Sequence, residues 1–523
     1  MEQSDLRRLV GQRMVVGFSE TKINDDITDL ISNYKIGNII LFKHNIENNE
    51  QLKKLCEELQ KLVKQHTGHE AFISIDQEGG MITRLGNDGA NVPGAMAIAA
   101  TGQVENAFLA GKITGEQLSS IGVNFDLAPT VDVNSNWQNP VIGVRSYSDE
   151  PEEAAKYAVA MTKGLLEGGV YACAKHFPGH GDTSVDSHVG LPVINKDINQ
   201  LEECELIPFR KVIEAEIPAV MTTHILFPRI EKDNIPATMS HKIITGLLKE
   251  RLGFQGLVVS DCMEMSAIKK YYGTVEGSLQ AIKAGVDLVF VSHTASLARA
   301  VSDALTGALE DGQLSMEDME DTVNKILGCK EELGKKKKAH GFDVEKGREI
   351  AFDLLKQSIT PVKLPEDGFL MGKNPIFIGA PAFRASNVSN PEEAAQFADY
   401  MEEHMGGKGI RISPDPDKKE LDNVIKEVKN VKDVSSIVIG TYNGHLYKGQ
   451  LELIRELARL YTNILVVALR NPYDLMELPE GVYGIAAYEY THKCLNVLTK
   501  LLKKQFVPSG VLPIKMNKLE EVL

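Results

Sequence analysis

Eight short apolar runs, each followed by a longer amphipathic stretch, recur between residues 15 and 293. They are VVGF at 15–18, IGNIILF at 36–42, AFISID at 71–76, NFDLAPTVDV at 124–133, VYACAKH at 170–176, AVMTTHI at 219–225, GLVVSD at 256–261 and VDLVFVSH at 286–293. Runs that are apolar on both faces suit strands buried within a parallel sheet. Parallel neighbours need a crossover between them, and the intervening stretches supply it. One such stretch, NNEQLKKLCEELQKLVKQH at 48–66, repeats its apolar positions at the helical period and can cover one face of a sheet. Eight strand-helix units in succession predict a TIM-type (β/α)8 barrel.

The chain, at 523 residues, is longer than one ordinary core. After a helical pattern at 316–333, the charged, glycine-flanked GKKKKAHG at 334–341 reads as a linker. The expected division is a barrel at 1–335, a linker at 336–350 and a second domain at 351–523, with the boundary near residue 340. Downstream, PIFIGA (375–380), SSIVIGTY (435–442), NILVVALRNP (463–472) and VYGIAAY (482–488) repeat the buried-strand pattern between helices. A smaller three-layer α/β/α sandwich is expected there.

A formal charge of -15 repels a phosphate backbone, and the one dense basic run, Lys335 to Lys338, is too short to reverse it. Nucleic acid is therefore not an expected partner. The opening MEQSDLRRLVGQRMVVGF lacks the continuous apolar core of an export signal, and no apolar run is long enough to span a membrane. Cysteines 56, 173, 204, 262, 329 and 494 show no paired spacing, so reduced thiols in a cytoplasmic protein are expected.

Active sites on such barrels sit at the carboxyl ends of the strands. Here those ends read DQEGG, DVNSN, KHFPGHGD, THI, SDCMEM and SHT. The densest is KHFPGHGDTSVDSHVGLP at 175–192, which holds His176, His180, Asp182, Asp186 and His188. Three readings are open for it: a polar loop that satisfies itself, a zinc site built from those side chains, or an Asp186–His188 dyad. In the dyad the carboxylate holds one ring nitrogen and leaves the other for proton transfer. Asp261 ends the buried run GLVVSD, where a carboxylate faces the barrel mouth or caps the next helix. Facing the mouth, it could attack a sugar anomeric carbon. Trp137, the single tryptophan, lies in the loop after the fourth strand and is expected to stack on a sugar face or to plug the rim, the sugar being the favoured reading.

IDQEGGMITRL at 75–85, NFDLAPTVDVN at 124–134, RSY at 145–147, the KHFPGHG block with DSH, and SDCMEM together resemble glycoside hydrolase family 3, in its β-N-acetylglucosaminidase branch. The likeness spans nearly the whole chain, since LRNPYDL at 469–475 and VPSGVLPI at 507–514 resemble family segments of the second domain, where no catalytic constellation is evident. The resemblance implies a retaining double displacement with Asp261 as nucleophile, His188 as acid/base and Asp186 as its orienting partner. It also implies that Asp76, Arg84, Arg145, Lys175 and His176 shape the terminal sugar's subsite. Singly, Arg84 and Arg145 would read as surface or ion-pair residues.

The implied activity is exo-hydrolysis of terminal β-linked N-acetylglucosamine from chitin disaccharides and oligosaccharides or from cell-wall fragments, with no metal and no organic cofactor. A small carbohydrate is the expected partner, and a homodimer is compatible with the sequence. Two rivals stand beside it. One is a phosphorylase using the same residues, because a neutral imidazole does not repel an anionic acceptor. The other is a sugar-binding sensor without turnover.

Overall fold

The computed structural model describes residues 3–183, 190–335, 341–365, 367–382 and 396–516. Eight strands form the predicted closed barrel: β1 Met14–Val16, β2 Asn38–Leu41, β3 Phe72–Ile75, β4 Phe125–Asp126, β5 Tyr171–Phe177, β6 Ala219–Thr222, β7 Leu257–Cys262 and β8 Leu288–Val291. Every neighbour pair is parallel, and β1 closes on β8 with Val15 opposite Phe290.

The strands' period of two sorts their side chains. Ile40, Phe72, Phe125, Tyr171, Val259 and Leu288 share the barrel interior, whereas Ile39, Leu41, Ile73, Ile75 and Val258 pack outward under the helices. Helix Asn49–Thr67 shows how the cover forms. Asn48 accepts a hydrogen bond from the Gln51 amide at its start, and Leu52, Leu55, Cys56, Leu59 and Val63 are buried along one stripe.

Regular pairing in the fourth run stops at Asp126, short of the expected 124–133. Pro129 carries no N–H, so beyond it the chain follows β5 through irregular bonds, Lys175 N to Pro129 O and Val131 N to Lys175 O. At the amino end of the barrel, helix Met316–Lys335 sends Ile326 and Leu333 into the interior cluster. Its Lys330 is buried, with Nζ donating to Gln12 Oε1 at 2.7 Å and Gly37 O at 3.0 Å. Burial lowers that ammonium to a pKa of about 7.

The second domain is a six-stranded sheet in the order β11-β10-β12-β13-β14-β9. Its strands are β9 Thr360–Lys363, β10 Pro375–Gly379, β11 Lys408–Arg411, β12 Ser436–Thr441, β13 Ile464–Ala468 and β14 Tyr483–Ala486. All pair in parallel except β9, which runs antiparallel to β14. Alternation again divides the layers: Ile437 and Ile439 face one core, Val438 the other.

Two details depart from the sequence reading. Helix Val344–Ser358 begins inside the stretch expected to be linker, because Asp343 caps it and Gly347, Ala351, Leu354 and Leu355 give it a stripe to bury. Met96, Ala97, Ala100 and Val144, from the barrel half of the chain, belong to a hydrophobic core of the second domain.

Candidate active site

Asp76, Lys175 and Asp261 share the inward parity of the strands that precede them. Asp76 follows Phe72, Lys175 follows Tyr171 and Cys173, and Asp261 follows Leu257 and Val259, all of them residues of the interior cluster. The carboxyl ends of three strands thus aim charged groups at one mouth. There a cavity of about 440 Å³ opens, lined by these three together with Arg84, Arg145, His176 and His180. Ile40, Leu127, Met221 and Phe290 supply its apolar surface.

One wall is a charge network. Lys175 Nζ lies 2.9 Å from Asp76 Oδ1 and 2.6 Å from Glu78 Oε1. Arg145 forks onto Glu78 through Nη2 to Oε1 at 2.8 Å and Nε to Oε2 at 2.9 Å, and Arg84 Nη2 stands 3.6 Å from Asp76 Oδ2. Burial alone would raise the Glu78 carboxyl, but Arg145 and Lys175 outweigh it and hold the group well below the usual carboxylate range. Burial opposes the Lys175 ammonium, and Asp76 and Glu78 reverse that and raise it. Both cations therefore stay charged inside the wall, presenting donors beside the carboxylate of Asp76.

His176 is held by Asp132, a carboxylate with no exposure, at 2.7 Å from Nδ1. The same carboxylate accepts the backbone N–H of His176 at 3.2 Å and of His180 at 2.7 Å. With its Nδ1–H donating to Asp132, His176 turns Nε2 toward Arg145 Nη2 at 3.5 Å. Burial, then the neighbouring His176, lowers the His180 imidazole to a pKa of about 4, so it is neutral near pH 7.

Asp261 is half-buried on the opposite side, and its Oδ1 accepts from the Cys262 N–H at 2.7 Å. The helix that follows, Ser266–Lys269, begins after Met265, so this carboxylate is not its cap. Phe42, His44 and His293 continue the rim, with the Phe42 and His293 rings 4.8 Å apart. The arrangement sets the Asp261 carboxylate in the same cavity as a row of charged donors and acceptors, a lining that suits a polyhydroxylated ring. Asp186 and His188 lie outside the described residues. Among the described residues, no group of three or more His, Cys, Asp or Glu side chains is placed to hold a metal ion.

Residues 5–329 match the glycosyl hydrolase family 3 N-terminal domain. The chain belongs to glycosyl hydrolase family 3. A family 3 β-N-acetylglucosaminidase from Paenibacillus sp. strain FPU-7 superposes with a TM-score of 0.88 at 35% identity, covering 98% of this chain and 99% of that one. Beta-hexosaminidase A of Pseudoalteromonas piscicida is 37% identical over 335 residues, 60% of this chain and 56% of the relative, so the match spans little more than half of that protein. A beta-hexosaminidase of Neisseria gonorrhoeae is 33% identical over 279 residues, 52% of this chain and 75% of the relative.

Glu78 and Asp132 were not singled out from the sequence of this family 3 chain. Both stand inside motifs already quoted, DQEGG and DVN, and the signal available was an acidic residue in an otherwise buried run. Trp137 is corrected by the structure. Its ring lies 5.9 Å from His445 and 6.4 Å from Tyr473 of the second domain, and it is not part of the cavity lining.

Proposed function

We propose that this family 3 chain is a retaining, exo-acting β-N-acetylglucosaminidase. The observation that carries the reading is the inward Asp261 carboxylate facing the Asp76, Arg84, Arg145 and Lys175 wall across one cavity. The names of its relatives, beta-hexosaminidase and β-N-acetylglucosaminidase, support the choice of sugar.

In the first step an Asp261 oxygen bonds to C1 while the C1–O glycosidic bond breaks, and the departing oxygen takes a proton from His188. In the second step water attacks C1, gives its proton to His188, and releases Asp261. Asp186 orients the imidazole through its other nitrogen. The wall holds the terminal sugar's hydroxyls so that C1 lies over Asp261.

The substrates proposed are chitin disaccharides and short oligosaccharides or muramic-acid-containing fragments, taken up into the cytoplasm. Six free cysteines accord with a reducing compartment. Among the described residues, no helix is long and apolar enough to cross a membrane.

The test is incubation with chitobiose and with a muramic-acid-containing disaccharide, with and without phosphate. Free N-acetylglucosamine is expected from wild type, with turnover abolished in Asp261→Ala. N-acetylglucosamine 1-phosphate as the main product would replace hydrolysis by phosphorolysis, and an active Asp261→Ala enzyme would remove that residue from the mechanism.

A further inference from the structure

One segment, residues 134–149, leaves the barrel after β4 and carries two parts of the catalytic mouth. Arg145 is one, forked onto Glu78. The other is Asn139, whose Nδ2 donates to the carbonyls of His180 at 2.8 Å and Gly181 at 2.9 Å, while its Oδ1 accepts from the N–H groups of Val141 and Ile142. A long irregular connection of this kind has no ladder of its own to fix it.

What fixes its far side is the second domain. Asn134 Nδ2 donates to Tyr473 Oη at 2.8 Å. Val144 is buried in the second domain's core, and Ser148 Oγ donates to Pro513 O at 2.6 Å. The tightest approach is at Gly143, which has φ +47°: a Cβ there would stand 2.4 Å from Asn471 Oδ1. Asn471 is itself anchored, with Nδ2 donating to Asn443 Oδ1 at 2.9 Å, and both side chains are buried. Two residues beyond Gly143 is Arg145.

We infer that the second domain holds Arg145 in register with the sugar, with Asn471 and Tyr473 acting as positioning residues for chemistry performed wholly in the barrel. The inference rests on the proposed role of Arg145 at the terminal sugar. The guanidinium can grip Glu78 in one geometry only while the 143–145 turn is seated, and a small displacement at such a group is costly because the sugar's hydroxyls are fixed relative to C1.

The experiment is a set of variants in the full chain assayed on an aryl β-N-acetylglucosaminide. Gly143→Ala is expected to lower kcat/KM by about tenfold or more, chiefly through KM. Asn471→Ala alone is expected to lower kcat/KM by about fivefold, and to add little to the loss in Gly143→Ala, because both unseat the same turn. Tyr473→Phe should cost about fivefold in the wild-type background and little once Arg145→Lys is present, because the two act on one geometry. Val438→Ala, in the core on the other face of the sheet, should lower Tm and leave kcat/KM unchanged, which separates positioning from general destabilisation.

A wild-type kcat/KM in Asn471→Ala, together with an equal Tyr473→Phe effect in both backgrounds, overturns the inference while leaving the site reading intact. An Arg145→Ala enzyme with wild-type KM and kcat would overturn both, by removing Arg145 from the sugar.

Discussion

Arg145 and Glu78 meet as a two-pronged fork with bonds of 2.8 and 2.9 Å, and the same Glu78 carboxylate reaches Lys175 at 2.6 Å. One buried anion therefore serves two buried cations, while Asp76 faces both Lys175 and Arg84.

Glu78→Gln removes that anion without changing its size. Arg145 and Lys175 are then left with the Asp76 carboxylate, which also faces Arg84, and an uncompensated buried charge costs about 3 kcal/mol or more. Lower Tm and a fall in kcat/KM of about a hundredfold are expected, both measurable on purified protein by thermal melts and steady-state kinetics.

Asp132→Asn tests the anchoring of the histidine loop. The wild-type carboxylate accepts from two backbone N–H groups and from His176 Nδ1, whereas an amide has one acceptor oxygen and adds a donor in the same space. Catalytic efficiency should fall by about tenfold or more through misorientation of His176. Unchanged kinetics would show that the loop is held by other contacts.

Lys330 gives a pH dependence remote from the mouth. Its pKa is about 7 in the folded chain against the ordinary lysine value of 10.5, so between those values the unfolded chain carries a proton that the folded one lacks. Folding stability must therefore rise as pH rises through that window, by a total on the order of 5 kcal/mol, and be flat in this respect below it. In Lys330→Met the contribution vanishes. Denaturant unfolding of both proteins at pH 7 and pH 10 measures the difference, and identical slopes would contradict the burial argument.

Two glycines should respond in opposite directions to alanine. A Cβ at Gly181 would lie 1.6 Å from Val133 O, so Gly181→Ala must move the histidine loop and should lower both activity and Tm. Gly307, within helix Ala295–Glu310, meets nothing within 4 Å. Gly307→Ala should stabilise by up to about 1 kcal/mol from helix propensity and leave kinetics unchanged.

The barrel strands were legible because each is buried along all or most of its length, and burial forces a run of apolar residues into the sequence. Edge strands β9 and β11, TPVK and KGIR, were not, since exposed positions carry no such constraint. The same contrast governs the site. Asp76, Lys175 and Asp261 could be read at strand ends. The partners that tune the wall are 67 residues apart for Arg145 and Glu78 and 44 for His176 and Asp132, and no local pattern records such pairings. Trp137 was misread for a related reason: its neighbours, His445 and Tyr473, come from the other half of the chain.

The shared core has a practical corollary for anyone wishing to work with the barrel in isolation. Met96, Ala97, Ala100 and Val144 share one hydrophobic core with Ile376, Ile439 and Tyr488 of the second domain. Truncating the polypeptide at the end of the Met316–Lys335 helix would turn that contact into a greasy footprint open to water, close to the substrate entrance, and such fragments would tend to self-associate. Polar replacements at those four positions would have to accompany the cut.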